Sequence, residues 1–301
     1  MDGLQIAVGD GARTMLCDAF ANAKSAIDAE YFSISDRDIV ASLNDAAARG
    51  VHVRLHVEGH PDRYDKSASD AAKSERALRA SLRRLFPASV DIVVEDDPMV
   101  LTHCKAAVVD GATAYVGTTN PTWFNFENPG AVVVKDSVAS DVAAVTQSIE
   151  HQTLATSDRI VAGPSTQLRG RLCDMLSSSH DLSIASEDLS DPQVVGQLVE
   201  RRAQGRHDRV LVGDRASSPQ RKAISWLEHS GVEVHTLAWG FMHEKYVDDG
   251  DAFYIGSANL THNGIDESHE IGILARAADT PGVAATLRSG FDRDWTNSRP
   301  A

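Results

Sequence analysis

Two short stretches of this sequence carry residue types suited to handling an anion, and they copy one another. The first is His103-Cys104-Lys105, followed by Asp110-Gly111 and by Gly117-Thr118-Thr119-Asn120. The second is His243-Glu244-Lys245, followed by Asp248-Asp249-Gly250 and by Gly256-Ser257-Ala258-Asn259. In each, a His and a Lys lie two apart, so on an extended strand they share a face. One His-x-Lys is commonplace. Two copies, each followed by an Asp and a Gly-hydroxyl-x-Asn turn, are not. Brought together, the copies give two imidazoles, two ammoniums and two carboxamides round one space, a set that fits a phosphodiester. One neutral imidazole can attack phosphorus and form a covalent phosphohistidine. The other, protonated, can protonate the departing oxygen. Lys105, Lys245, Asn120 and Asn259 would hold the non-bridging oxygens. No ligand spacing suggests a metal, and no cofactor is implied.

The elements that must position these groups also occur twice. Residues 14–28 have helical apolar spacing, 29–34 reads as a strand, and Asp36 can cap a helix that Arg49-Gly50 ends. Alternation marks a strand over 51–57. A polar loop, Gly59–Ser69, precedes a basic helix containing Lys73, Arg76, Arg79, Arg83 and Arg84. Strands follow at 90–94, 103–109, 114–116 and 131–134, then a helix over 136–150. The order then restarts: a helix at 168–176, a strand at 182–185, a helix opened by Asp191-Pro192 and ended by Gly205, and a strand at 210–212. A helix at 219–229, a strand at 232–237, the second motif, a strand at 271–274 and a helix near 281–290 complete it. This duplication predicts an α/β protein of two tandem, pseudo-symmetric lobes. Each is an α/β/α sandwich with a mostly mixed sheet, residues 1–155 and 156–301, with the site at their interface. The boundary is expected in the polar stretch 152–167. With both motifs in one chain, a monomer suffices to build the site.

Composition narrows the class. The 301 residues are 42% hydrophobic and 24% charged, which is ordinary for a globular protein. Nothing approaches the 18 or more apolar residues of a membrane span, so no stable membrane insertion is expected. The start, Met1-Asp2-Gly3-Leu4-Gln5, does not read as a secretory signal. Cys17, Cys104 and Cys173 are sparse and odd in number, which fits a reducing, cytoplasmic setting rather than a disulfide framework. Cys104, between the His and Lys, should face the core. The net charge of −14 opposes binding nucleic acid by bulk electrostatics, though not through a local basic patch such as Lys73–Arg84.

The motif pair resembles the phospholipase D superfamily, marked by a duplicated His-x-Lys-x4-Asp with a following Gly-Ser-x-Asn. His103 to Asp110 matches in full, with Thr118 where Ser is usual. The second copy is one residue short. Asp249 lies seven residues before Gly256, as Asp110 lies seven before Gly117, so Asp249 is the expected equivalent, with Asp248 and Asp251 as alternatives. The resemblance covers nearly the whole chain. It implies catalytic roles for His103, Lys105, Asp110, His243, Lys245, Asp249 and Glu270. It also implies substrate contacts from Asn120, Asn259, Thr118 and Ser257. Trp123 and the adjacent Phe124 would stack on a base or line an acyl pocket, or else pack under the hairpin.

Family members often place a Glu eleven residues after the motif Asn, bonded to the imidazole. Glu270 is eleven after Asn259 and is expected to orient His243. The matching residue in the first half is Ala131, so Glu127 or a carboxylate from elsewhere would have to substitute. The resemblance implies that His103 attacks and His243 is the acid. A carboxylate on His243 would pull the other way, because it makes an imidazole a stronger base.

The reaction expected is metal-independent phosphodiester hydrolysis. The second copy has the form common in nuclease-type members, which favours nucleic acid as substrate. The Gly-Ser-x-Asn-x-Asp-x-Arg-Ser signature of phospholipid-acting members is missing, yet a phospholipid, a small phosphodiester, phosphatidyl transfer, or a non-catalytic phosphate site are the alternatives.

Overall fold

The computed structural model describes residues 3–59, 68–97, 100–127, 130–150, 157–214, 217–237 and 242–301. The first half runs β1 (Leu4–Val8), α1 (Asp10–Asn22), β2 (Ala26–Tyr31), α2 (Arg37–Ala48), β3 (His52–Glu58), α3 (Ala68–Leu85), β4 (Val90–Glu95), β5 (Lys105–Val109), β6 (Thr113–Gly117), α4 (Trp123–Phe126), β7 (Val132–Asp136) and α5 (Ala139–Ile149). The second runs β8 (Ile160–Gly163), α6 (Thr166–Leu176), β9 (Ser183–Ser186), α7 (Pro192–Ala203), β10 (Arg209–Val212), α8 (Ser218–His229), β11 (Glu233–Leu237), β12 (Lys245–Asp248), β13 (Ala252–Gly256), β14 (Glu270–Arg276), α9 (Pro281–Thr296) and β15 (Ser298–Pro300).

The duplication is visible in the strand order. The first sheet is β1-β7-β6-β5-β2-β3-β4, and the second, from its other edge, is β8-β14-β13-β12-β9-β10-β11 with β15 added. In both, three strands are parallel, β2-β3-β4 and β9-β10-β11, and the motif hairpin joins them antiparallel. Local signals repeat as well. Asp36 caps α2 by accepting from the N–H groups of Asp38 and Ile39, and Asp191 caps α7 through those of Gln193 and Val194. Gly50 and Gly205 follow these helices at φ of 89° and 86°, a backbone that favours glycine.

The outer face of each sheet is sealed by its own helices, α1 to α3 on one and α6 to α8 on the other. The inner faces meet in one shared core, where Ala106, Val116, Tyr246 and Ile271 join Val145 of α5 and Phe291 of α9. Cys104 lies in that core, fully buried, as its place between His103 and Lys105 requires. The two motif strands are thereby clamped against each other through apolar contact.

The structure departs from expectation at several edges. α1 stops at Asn22, and Ile27 belongs to β2, because Ala23 turns extended and a carboxylate takes the N–H groups that follow it. The short edge strands β1, β8 and β15 add to the expected elements, and β8 sits inside the stretch expected to be a linker. Most of the expected Gly59–Ser69 loop lies outside the described residues, as do 151–156 at the lobe junction.

Candidate active site

The backbone first explains why the two motifs meet. Thr102 and His269 form an isolated parallel bridge between the lobes. The His103 N–H donates to the His269 carbonyl at 2.9 Å, and the His269 N–H donates to the Leu101 carbonyl at 2.7 Å. The side chain of His269 runs the other way, to Glu30 Oε1 at 2.6 Å and to Ser148 Oγ at 3.1 Å. These bonds set His103, from the first lobe, beside Glu270, from the second.

His103 Nδ1 lies 2.7 Å from Glu270 Oε1. The other oxygen of that carboxylate accepts from Ser257 Oγ, which also bonds the backbone of Ile271. The expectation that Glu270 orients His243 is therefore corrected: it crosses the junction to the other histidine. A residue separation within one half carries no information about contacts between halves, and the strand entering β14 points across the interface.

His243 has a different partner. Its Nδ1 lies 2.8 Å from the carbonyl oxygen of Thr118, in the first lobe. A carbonyl only accepts, so once the ring is protonated, as an acid must be, Nδ1–H can donate to Thr118 and Nε2 is left for chemistry. The Nζ of Lys245 lies 2.9 Å from the His243 carbonyl and 2.8 Å from both His243 Nδ1 and Glu187 Oε2. Glu187 also comes within 3.5 Å of His243 Nε2. Lys105 donates to the His103 carbonyl, and its remaining donors have no partner among the described residues. The two lysines are thus unequal: Lys245 is engaged, while Lys105 has donors to give to an anion.

The electrostatics fit a preformed anion site. Burial depresses Lys105 to about 7, with Lys245 pushing the same way and Glu270 opposing. Burial lowers His103 despite Glu270, and burial with the nearby Lys245 lowers His243 to about 3. Both rings are neutral at rest, and an arriving phosphate would raise both. Burial works to raise Glu187, but the positive charge of Lys245 and the neighbouring His243 hold it well below the carboxylate range.

The remaining site expectations divide. Asn120 is buried, and its Oδ1 has no partner among the described residues. Asn259 accepts from the Asp188 N–H at 3.4 Å. The hydroxyls of Thr118 and Ser257 are turned inward, onto the Gly130 carbonyl and Glu270, so they buttress the site rather than face a substrate. Asp110 is corrected outright. At φ 55° it sits at the far end of β5, and its carboxylate takes the N–H groups of Lys24, Ser25 and Ala26. Asp249 likewise only closes a turn, accepting from Asp251 and Ala252. The missing residue of the second motif is a shorter hairpin loop: Val109 faces Thr113, while the Asp249 N–H meets the Ala252 carbonyl. Asp248 bonds Arg288 and the Tyr246 hydroxyl. Trp123 and Phe124 are 59% and 40% exposed, so they do not pack under the hairpin. Glu127 is exposed, and the carboxylate from elsewhere is Glu187, which no motif marks.

Away from the motifs, Asp191, His262 and Asp266 come close enough to share a cation, but Arg169 already joins the two carboxylates at 2.7 and 2.5 Å. Among the described residues no helix is long and apolar enough to cross a membrane.

Comparison with known proteins agrees with this architecture. The family model described as "Cardiolipin synthase, PLD-like domain" matches the chain over residues 16–152 and 172–295. A phosphatidylserine synthase structure from Haemophilus influenzae Rd KW20 is similar at TM-score 0.73 and 12% identity, covering 99% of this chain and 87% of that one. Polyphosphate kinase from Porphyromonas gingivalis is similar at TM-score 0.62 and 15% identity, covering 90% of this chain and 47% of that one. At such identities the likeness is one of fold. No curated protein sequence matches the chain.

Proposed function

Because this chain belongs to the phospholipase D superfamily, whose members process phosphodiesters, we propose that it hydrolyses phosphodiesters without a metal, through a phosphohistidine on His103. The observation that carries this reading is the crossed pair of contacts, His103 to Glu270 and His243 to Thr118, each spanning the lobe junction. His103 attacks through Nε2, forming the P–N bond as the P–O bond to the leaving group breaks. Nδ1 keeps its proton, and the positive ring that results lies against the Glu270 carboxylate. His243 Nε2 gives a proton to the leaving oxygen. A water then attacks phosphorus, loses its proton to His243, and the P–N bond breaks. Lys105 and the two asparagines hold the non-bridging oxygens, doing by fixed charge and dipole what a bound cation would otherwise do. The placement of Glu270 against His103 supports this assignment, since a carboxylate partner strengthens the imidazole that attacks.

The substrate we propose is nucleic acid. The exposed pair Trp123 and Phe124 follows Asn120 on the chain and offers stacking faces, and Arg76, Arg83 and Arg84 are exposed on α3. A phospholipid or small phosphodiester is the second reading, favoured by the net charge of −14 and by Glu187, which both oppose a polyanion. Assayed in EDTA, the protein is expected to hydrolyse bis(p-nitrophenyl) phosphate and to cut single-stranded nucleic acid or plasmid DNA, with acid-labile phosphate trapped on His103. Turnover of phosphatidylcholine vesicles but not nucleic acid would select the second reading. Activity on none of these would leave a phosphate-binding protein.

A further inference from the structure

We propose that Glu187 is the second carboxylate of this site, a positioning residue that lets His243 hold the proton it gives to the leaving oxygen. The inference rests on the phosphohistidine reading above and assigns a role that no motif residue fills.

The pseudo-symmetry exposes the gap. Glu270 lies two residues before Gly272, the partner of Gly256, and Ala131 lies two before Val133, the partner of Gly117. Glu270 reaches His103 across the junction, but Ala131 has nothing to send to His243. The same symmetry locates the replacement. Lys105 pairs with Tyr31 and Lys245 with Ser186, so the residues one step further on, Phe32 and Glu187, are mates. Phe32 packs edge-on against His103 with ring centroids 5.5 Å apart. Glu187 stands 3.5 Å from His243 Nε2. A carboxylate thus stands by each histidine, both supplied by the second lobe but from different positions of the repeat: at one position His103 has the acid and His243 an alanine, at the other His103 has the ring and His243 the acid.

Glu187 is held in place. Its N–H donates to the Glu244 carbonyl at 3.1 Å, and its carbonyl accepts from the Gly213 N–H at 3.2 Å and from Gln220 Nε2 at 3.1 Å. A Cβ at position 213 would lie 2.6 Å from that carbonyl oxygen, so the clamp needs glycine there. Among the groups that act most strongly on His243, Lys245, Lys105 and His103 disfavour its protonation and Glu187 favours it. Without Glu187 a buried imidazole beside two lysines would hold its proton less firmly when the phosphate arrives. The anion also remains charged at any working pH, held there by Lys245 and His243 against the opposing effect of burial.

Leaving-group dependence isolates this role, since p-nitrophenolate departs without a proton and a nucleoside alkoxide does not. Glu187→Gln should lose about 100-fold more in kcat on the dinucleotide TpT than on bis(p-nitrophenyl) phosphate, the scale of general acid catalysis. Glu187→Asp should recover part of that difference, and the alkaline limb of the TpT profile, where the protonated His243 is lost, should move to lower pH in Glu187→Gln. An equal loss on both substrates, with an unmoved profile, would show a structural role and overturn the inference while the phosphohistidine reading stands. If the wild-type protein turns over neither substrate, that reading fails, and NMR titration of the His243 ring with inorganic phosphate present decides the rest. The ring must titrate at lower pH in Glu187→Gln than in wild type, and identical titration would sink the assignment.

Discussion

Glu270, from the second lobe, is bonded to His103, from the first, at 2.7 Å, and the second carboxylate oxygen is closed off by Ser257. The carboxylate therefore has one function left, to fix the His103 tautomer and to face the charge that develops on the ring. Losing a hydrogen bond to a charged partner removes about 2 kcal/mol, roughly 30-fold in rate. Glu270→Gln is expected to slow phosphoenzyme formation by about that factor in a single-turnover trap. The equivalent change on the other lobe, Ala131→Ser, should leave the rate within about 2-fold.

Asp110 belongs to the sequence motif but not to the site. Burial acts to raise its carboxyl, and the N–H groups of Ser25, Ala26 and Lys24 outweigh that and hold it at about 2. A depressed carboxyl contributes stability that is present above its unfolded value, about 3.9, and lost as pH falls through about 2. Asp110→Asn should lower Tm at pH 7 by a few degrees and converge on the wild type near pH 2, while kcat stays within about 3-fold. Thermal melts across pH, beside a rate assay, check both halves of this; a collapse of kcat without loss of Tm would return Asp110 to the site.

Much of this was legible in the residues. The motif pair announces itself because His, Lys and Asn recur in one order, and the two-lobed α/β architecture follows from that duplication. Sequence separation could not show that Glu270 serves His103, since pairing across a pseudo-axis is set by the docking of two sheets. Glu187 follows Ser186 with no distinguishing neighbour, so only the register of β9 against β12 reveals it. Asp110 misleads for the opposite reason: a carboxylate at the end of a hairpin is drawn to the nearest N–H groups, those of residues 24–26, whatever motif it completes. The edge strands β1, β8 and β15 are short, and their pairing depends on partners far along the chain.

The Glu30–His269 pair is the fastening of the lobe junction. Both side chains are buried, 2.6 Å apart, and the His269 backbone bonds Leu101 and His103 on either side. Removing one member of a buried, hydrogen-bonded pair costs about 3 kcal/mol, or roughly 5 °C in Tm for a chain of 301 residues. Glu30→Ala should show that loss and also slow turnover, because the His103 N–H would lose its reference point. A melt unchanged by Glu30→Ala would mean the lobes are held by their apolar core and the remaining bonds across the junction, without need of this pair.

Lys105 sets a pH limit on anion binding. Burial brings it to about 7, so its ammonium is half lost near neutrality in the unliganded protein. Below that value the charge is present; above it, binding a phosphate oxygen must first recover a proton. The affinity for orthovanadate or inorganic phosphate is expected to fall by up to about tenfold per pH unit above 7, after correction for the ionisation of the ligand itself. Lys105→Met should be weak and flat over the same range. A wild-type affinity that is equally flat to pH 9 would place the controlling charge on Lys245.

Trp123 separates recognition from chemistry. Its ring is 59% exposed and meets Phe124 edge-on at 5.8 Å, so little of it is needed for folding. A stacked base contributes about 1–3 kcal/mol to single-strand binding, which is roughly 5- to 150-fold in KM. Trp123→Ala should raise KM for an oligonucleotide by that range and leave kcat and KM for bis(p-nitrophenyl) phosphate within about 2-fold, because the small diester reaches only the His and Lys groups. An unchanged KM for oligonucleotides, with weaker binding to phosphatidylcholine vesicles instead, would move the ring from a base platform to a lipid surface, and the substrate with it.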